Sequence, residues 1–170
     1  MRQIWAPWRM AYINSCQQNK KQKCVLCIKS SRIENDASSL VLLRGKHSFV
    51  MMNRYPYNPG HLMIAPYRHI GKIERLNLAE MSEMFFLIQQ CVKAIRKTLK
   101  PDGFNIGANL GRIAGAGIPG HFHIHLVPRW NGDTNFMPIL AETKVICQEL
   151  DKTYQILKKE LHTNLNKDKS

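Results

Sequence analysis

The sequence predicts an α+β domain built on an antiparallel sheet of about five strands, with one long central helix and a C-terminal helix. The first observation is length, because 170 residues suffice for one well-filled core and are too few for two ordinary domains. The second is the order of the apolar patterns along the chain, which is strands, a helix, two strands and a helix. That order is typical of an antiparallel α+β fold.

Three short strands are predicted in the first half of the chain. Apolar β-forming residues occupy positions 40–43, 48–52 and 62–65. Gly45 separates the first two runs, and "YPYNPG" separates the second from the third. These separations predict consecutive antiparallel strands.

The clearest helix begins after Asn77. This residue can cap the helix, and Glu80, three residues later, completes a capping-box pattern. Pro101 and Gly103 end the helical pattern. Apolar residues recur between these limits at helical spacing: Leu78, Met81, Phe85, Ile88, Val92, Ile95 and Leu99.

The second half of the chain predicts two strands around a glycine-rich loop. "FNIGANLG" follows the helix as a strand, and the loop "GRIAGAGIPG" leads into a strand over residues 121–128. A second helix is expected from about Leu140 to Leu161. The N-terminal "IWAPWRMAYI" is apolar, and we expect it to pack on the body or on a second subunit.

Composition and charge restrict the class of protein. Apolar residues make up 44% and charged residues 22%, as in globular proteins. No apolar run is long enough to span a bilayer, and Trp, Pro and Arg interrupt the N-terminus where a signal peptide needs an apolar core, so we expect a cytoplasmic protein.

The net charge of +13 permits nucleic acid as a partner, but the lysine clusters lack the interleaved aromatic residues that stack on single strands. We therefore expect a solvated surface or a field that attracts polyphosphates.

The motif that carries most information is "GHFHIHLVPR". Successive side chains of a strand point to opposite faces, so His121, His123 and His125 share one face while Phe122, Ile124 and Leu126 take the other. Three imidazoles on one face can bind a metal, or one of them can be a nucleophile on phosphorus while its neighbours fix its tautomer. The glycine-rich loop in front favours phosphorus, because backbone N–H groups can approach a phosphate there.

This motif resembles the His-φ-His-φ-His-φ-φ signature of the histidine-triad (HIT) family of nucleotide hydrolases and transferases. "NRYPYNPGHLMIAPYRH" resembles the nucleoside-binding strand pair of that family, and "PDGFNIGANLG" the segment after its main helix. With "IWAPWRMAYI" and "PRWNGDTNFMP", the chain looks most like the diadenosine-tetraphosphate phosphorylase branch. The resemblance implies an N-terminal extension over 1–38, a HIT catalytic domain over 39–137, and a C-terminal helix and tail over 138–170.

The resemblance also implies roles for individual histidines. His123 would attack the α-phosphate to form a nucleotidyl-imidazole, and His125 would assist at the leaving group. His121 would fix the site from behind, through a hydrogen bond or a metal. The nucleotide-binding positions implied in this way, with those of the glycine-rich loop, are Asn53, His61, Asn109, Gly115, Ala116 and Gly117.

One departure from many hydrolases of the family concerns the acceptor. Those proteins carry a glutamine just before the triad, whereas "AGAGIPGH" offers only Ala116 and Gly117. The missing side chain leaves room for an acceptor larger than water. We therefore favour inorganic phosphate as acceptor over water.

The pair Cys24 and Cys27 has three interpretations from the residues alone: a redox pair, a chance spacing, or half of a zinc site. Some proteins of the HIT superfamily hold a structural zinc with such a pair, a histidine after the second strand of the nucleoside-binding pair, and the first triad histidine. His69 and His121 match those two positions. The resemblance therefore implies a closed, structural Cys₂His₂ zinc site and no organic cofactor.

Three functions stay open at this stage. The first is nucleotidyl transfer from a dinucleoside polyphosphate to phosphate or water, through a covalent nucleotidyl-histidine. The second is hydrolysis of nucleoside phosphoramidates or acyl-adenylates, because the triad does not choose the leaving group. The third is a non-catalytic module that binds nucleotides or nucleic acid. The family also implies a homodimer, in which the main helices and neighbouring strands of two copies pair.

Overall fold

The computed structural model of the chain describes residues 24–133 and 149–167. The predicted packing of "IWAPWRMAYI" and the predicted start of the C-terminal helix near residue 140 lie outside these residues. No helix within the described ranges combines the length and apolar character that a bilayer crossing requires.

The order of elements follows the predicted pattern, with two short helices before the first strand. These are α1 (Val25–Ser31) and α2 (Asp36–Ser39), with a 3₁₀ turn between them. The remaining elements in chain order are β1 (Val41–Arg44), β2 (Ser48–Met52), β3 (Leu62–Pro66), α3 (Leu78–Leu99), β4 (Gly103–Gly107), β5 (Ile124–Arg129) and α4 (Leu150–Lys167). A second 3₁₀ turn, Ile73–Arg75, precedes α3.

The five strands form one antiparallel sheet in the order β1-β2-β3-β5-β4, so the predicted fold class is confirmed. The histidine-bearing strand β5 is therefore internal, and β4 lies at an edge. The strand begins at Ile124, three residues later than predicted. The residues just before β5 make hydrogen bonds outside the sheet. The N–H of His121 donates to the Ile118 carbonyl, and the N–H of Phe122 donates to the Ile70 carbonyl.

The long helix begins and ends where the sequence predicts. The Asn77 side chain accepts from the N–H of Glu80 at 2.9 Å, and the Glu80 carboxylate accepts from the N–H of Asn77 at 3.0 Å. The same carboxylate binds the Arg68 guanidinium through two contacts of 2.6 Å. Lys100 ends the helix in a left-handed conformation, and Pro101 follows.

The two faces of the sheet are covered differently. Helices α3 and α4 pack on one face over the larger core, which includes Leu62, Ile64, Phe122 and Leu126. A smaller cluster on the other face lies under α1, with Leu26 against Phe49, Met51 and Met63. This second face carries the histidines, because His125 pairs with Met63 in the sheet register.

Candidate active site and metal site

The structure separates the three histidines of the motif by depth. His121 is fully buried, His123 is 5% exposed, and His125 is half-buried on β5. Phe122 and Leu126 face the opposite, helix-covered core, as the alternation predicts. The rings of His123 and His125 lie 4.8 Å apart, centroid to centroid, and nearly perpendicular at 74°.

A backbone carbonyl fixes the tautomer of His123. Nδ1 of His123 lies 2.8 Å from the carbonyl oxygen of His121, which can only accept, so Nδ1 carries a proton and donates it. Burial lowers the pKa of His123, and the same hydrogen bond opposes that shift. The ring is therefore neutral near pH 7 and offers the lone pair of Nε2, as a nucleophile requires.

A second pair of imidazoles orients a proton beside this nucleophile. The N–H of Tyr57 donates to Nδ1 of His61 at 3.1 Å, so a neutral His61 carries its proton on Nε2. Nε2 of His61 lies 2.9 Å from Nδ1 of His125 and donates its proton to that atom. Nδ1 of His125 is then the acceptor, so a neutral His125 carries its own proton on Nε2. His125 thus presents an N–H donor beside His123.

The candidate nucleotide-binding residues fall into two groups. Asn53 and His61 are brought together near His125, with the Asn53 amide nitrogen 3.5 Å from Nδ1 of His61. Asn109 is instead part of the glycine-rich loop, where its amide donates to the Gly115 carbonyl at 3.2 Å. Within that loop the N–H groups of Gly115 and Ala116 donate to the carbonyls of Arg112 and Gly111, and Gly117 follows.

The four candidate zinc ligands converge. One ligand atom each from Cys24, Cys27, His69 and His121 lies within 4.8 Å of every other. The Cys27 sulfur is 3.4 Å from Nδ1 of His69 and 3.4 Å from Nδ1 of His121. A tetrahedral zinc with usual Zn–S and Zn–N bonds has S···N edges of about 3.5 Å, so the donor set fits this metal.

The chemistry of the donors also fits a metal ion. Burial and the neighbouring Cys24 raise the pKa of the Cys27 thiol to about 11, so without a metal the thiol stays protonated at neutral pH. Zinc binds the thiolate and displaces that proton. Nε2 of His121 donates to the Pro66 carbonyl at 2.8 Å, which directs its Nδ1 lone pair towards the sulfurs.

Several contacts at the site were not predicted from the sequence. The Tyr57 ring stacks on His61 at 4.7 Å, and the Pro66 carbonyl orients His121. The Asp133 carboxylate joins Arg129 to Asn58. Backbone partners leave no signal in side-chain identity, and a polar contact between two loops leaves none in the periodicity of the sequence.

The HIT domain family model matches residues 34–132. The chain belongs to the HIT domain family.

Among curated HIT relatives, one from Mycobacterium tuberculosis, named AP-4-A phosphorylase, is 37% identical over 161 residues, which cover 92% of this chain and 83% of that protein. A Schizosaccharomyces pombe protein named bis(5′-nucleosyl)-tetraphosphatase (asymmetrical) is 30% identical over 114 residues, or 67% of this chain and 59% of its own length. The family match and these sequence identities confirm the predicted resemblance to the HIT family and its phosphorylase branch.

Solved HIT structures share the fold. A zinc-bound histidine triad family protein from Mycobacterium smegmatis superposes with a TM-score of 0.67 at 24% identity, covering 85% of this chain and 96% of its own. The crystal structure of a hypothetical histidine triad nucleotide-binding protein from Sulfolobus tokodaii gives a TM-score of 0.63 at 22% identity, covering 85% of this chain and 93% of its own. These similarities support the HIT-like α+β architecture.

Proposed function

We propose that this protein transfers a nucleotidyl group from a dinucleoside polyphosphate such as diadenosine tetraphosphate, through a covalent intermediate on His123. The carrying observation is the orientation of the imidazoles: Nδ1 of His123 is held by a backbone carbonyl at 2.8 Å, and His125 presents a donor next to it. The M. tuberculosis relative named AP-4-A phosphorylase supports the substrate class.

The first step forms a bond between phosphorus and nitrogen. The Nε2 lone pair of His123 attacks the α-phosphorus, and the bond from that phosphorus to the bridging oxygen breaks. The departing nucleotide keeps the bond's electron pair, and the Nε2–H of His125 donates a hydrogen bond or its proton to the departing oxygen. The HIT fold contributes alignment and charge stabilisation, on which phosphoryl-type transfers mainly depend.

The second step regenerates His123. An oxygen of the acceptor attacks the α-phosphorus, and the N–P bond breaks. The electron pair of that bond returns to Nε2 of His123. With phosphate as acceptor, diadenosine tetraphosphate yields ATP in the first step and ADP in the second. Phosphate is favoured because Ala116 and Gly117 precede the triad without an amide side chain that could hold an attacking water.

The products formed from diadenosine tetraphosphate with and without ³²P-labelled phosphate test this function. Phosphorolysis predicts ADP and ATP that appear only with phosphate, with the label in the β-position of ADP and none in ATP. AMP and ATP, or two ADP, would indicate hydrolysis. Absence of turnover together with tight nucleotide binding would indicate a binding module, and activity confined to phosphoramidates or acyl-adenylates would indicate the other hydrolase class.

A His123→Asn variant tests the nucleophile. It should lose turnover by about 10³-fold or more, because the amide of asparagine cannot replace the imidazole as nucleophile. His162→Asn is the matched control, since His162 is exposed on α4 and should leave turnover unchanged. Residual activity of His123→Asn near the wild-type value would contradict the covalent mechanism.

The metal that we propose for Cys24, Cys27, His69 and His121 is a structural zinc. Four protein ligands leave no coordination position for an activated water. Bound zinc would join α1 to the segment before β5. The zinc-bound relative from M. smegmatis supports this assignment.

We also propose a homodimer that uses one side of α3. Leu78 is 75% and Phe85 66% exposed, and they precede Arg96 by 18 and 11 residues, close to five and three helical turns. These three residues therefore share a side, and Arg96 lies over the Phe104 ring of edge strand β4 at 5.8 Å. Apolar side chains exposed next to the edge strand of the described sheet favour association with a second copy.

Analytical ultracentrifugation of two glutamate variants tests the dimer. Phe85→Glu places a charge on the proposed interface and should give a monomer. Phe86→Glu is the matched control, because Phe86 is also exposed, at 42%, but lies about 100° further around the helix. Monomeric wild type, or equal effects of both changes, would contradict the proposed interface.

A further inference from the structure

The Asp133 carboxylate, which lies outside the triad, binds the loop between β2 and β3. The same loop contains the Tyr57 N–H that fixes the tautomer of His61. Asp133 accepts two hydrogen bonds from Arg129, from Nε at 2.5 Å and from Nη2 at 2.7 Å. The same carboxylate accepts from the amide of Asn58 at 2.6 Å and from the N–H of Trp130 at 3.3 Å. Its side chain is 10% exposed, whereas that of Arg129 is 42% exposed, so the contact with the buried Asn58 is the better shielded of the two.

The contact between Asp133 and Asn58 joins two distant parts of the chain. Asn58 is 3% exposed, and its amide nitrogen also donates to the Pro128 carbonyl at 2.9 Å. One amide group therefore binds both the last part of β5 and the residues that follow it. Arg129, and next Asn58, hold the pKa of the Asp133 carboxyl well below its usual range, so the carboxylate stays charged at neutral pH.

Asn58 is part of the turn that shapes the loop between β2 and β3. The N–H of His61 donates to the Asn58 carbonyl at 3.1 Å, and the preceding residue supplies the Tyr57 N–H that donates to Nδ1 of His61. The Tyr57 ring also covers the His61 ring, with 4.7 Å between centroids and an angle of 21°. Displacement of Asn58 would therefore move both the donor and the aromatic ring that hold His61.

We propose that Asp133 is a positioning residue, which anchors Asn58 and thereby keeps the Tyr57 N–H on Nδ1 of His61. The inference rests on the proposed nucleotidyl transfer. When the Tyr57 donor at 3.1 Å moves away, the longer contact from the Asn53 amide, at 3.5 Å, holds Nδ1 of His61 less firmly, so Nδ1 can take the proton and Nε2 becomes an acceptor. His125 must then donate from Nδ1, so its Nε2 loses the hydrogen that faces the leaving group.

This role predicts a defect that depends on the leaving group. An Asp133→Ala variant should turn over diadenosine tetraphosphate and an alkylamine phosphoramidate of AMP about 10–100-fold more slowly. This loss is smaller than the full contribution of a general acid, because His125 stays in place and only its proton is misplaced. Adenosine 5′-phosphorofluoridate should be affected less than about 3-fold, because fluoride leaves without a proton. KM should stay within about 3-fold, since neither Asp133 nor Asn58 is a proposed substrate contact.

The matched control is Asp102→Ala. The Asp102 carboxylate accepts from the N–H of Asn131 at 2.7 Å, so it stabilises the same hairpin end, and among the described residues it accepts no hydrogen bond from the loop between β2 and β3. This variant should keep turnover of all three substrates. If Asp133→Ala does not fold, Asp133→Ser replaces it, because the shorter side chain does not reach the Asn58 amide and its hydroxyl can stay hydrated.

Nitrogen chemical shifts of the His61 ring provide a readout that is independent of activity. In the wild type, long-range ¹H–¹⁵N NMR should show Nε2 protonated and Nδ1 without a proton, and Asp133→Ala should shift this balance. Unchanged His61 shifts, or equal losses on all three substrates, would overturn the positioning role. Absence of wild-type turnover with the predicted His61 shift would contradict the proposed reaction and leave the positioning of His61 supported.

Discussion

Replacement of Gly60 by alanine should destabilise the protein through two separable effects. Gly60 precedes His61 and has a φ of +75°, a conformation that costs an L-residue about 1–2 kcal/mol. A Cβ at this position would also lie 2.6 Å from Cδ1 of Leu99, at the end of α3. Rotation of that flexible side chain away from its preferred rotamer costs about 1 kcal/mol.

The opposing effect acts on the unfolded chain. Alanine restricts that chain more than glycine does, which returns about 0.4–1 kcal/mol of stability. The net loss in the free energy of unfolding for Gly60→Ala is then about 2 kcal/mol, or a decrease of about 4–8 °C in the melting temperature. Urea unfolding followed by circular dichroism measures the first quantity, and a thermal scan measures the second.

Two other glycines separate the contributions. Gly111 has a φ of +83° with open space around its Cβ position, so Gly111→Ala measures backbone strain alone and should cost about 0.5–1 kcal/mol. Gly103 also has open space and lacks a positive φ, so Gly103→Ala should stay within ~0.5 kcal/mol of the wild type. Equal stability of the Gly60 and Gly103 variants would refute the reasoning.

Three further changes test other parts of the structure. Tyr154→Phe should lower the free energy of unfolding by about 1–2 kcal/mol in urea titrations, because the Val41 carbonyl loses a buried donor at 2.9 Å; an unchanged value would contradict this contact. Arg68 lowers the pKa of the Glu80 carboxyl below 4.5, so their pairing stabilises the fold above pH 4.5 and is lost as the pH falls through the folded-state value. Glu80→Gln should flatten that acid dependence in pH-dependent urea titrations, and an unchanged slope would contradict it. A chelator under reducing conditions should lower the melting temperature, since zinc at a thousand times its dissociation constant adds about 4 kcal/mol; a Cys24→Ser variant that keeps stoichiometric zinc would contradict the site.

The elements of the fold were predictable because each has a local cause. Asn77 and Glu80 carry the capping box within four residues, and the structure forms both of its hydrogen bonds. The apolar runs of β1, β2 and β3 are separated by turn residues that a single sequence displays. The start of β5 was placed three residues early, because the N–H of Phe122 bonds to Ile70, a partner far away in the sequence.

The candidate site was predictable only in part. The alternation of the histidines predicted a shared face, and the family resemblance implied four candidate metal ligands, whose ligand atoms the structure brings within 4.8 Å of one another. The link from Asp133 to Asn58 could not be read from the sequence. Its partners lie 75 positions apart, and a polar contact between loops has no periodicity.

Backbone groups explain how similar histidines acquire different chemistry. The Pro66 carbonyl accepts from Nε2 of His121, the His121 carbonyl accepts from Nδ1 of His123, and the Tyr57 N–H donates to Nδ1 of His61. A carbonyl can only accept and an N–H can only donate, so each partner leaves its imidazole one orientation of the proton. Nδ1 of His121 is thereby directed to the cysteines, and Nε2 of His123 keeps a lone pair. A side-chain substitution near these imidazoles should change their proton positions only when it moves the backbone. Substitutions of Asp133 and Gly60 are therefore stronger tests of these proton positions than substitutions of surface residues.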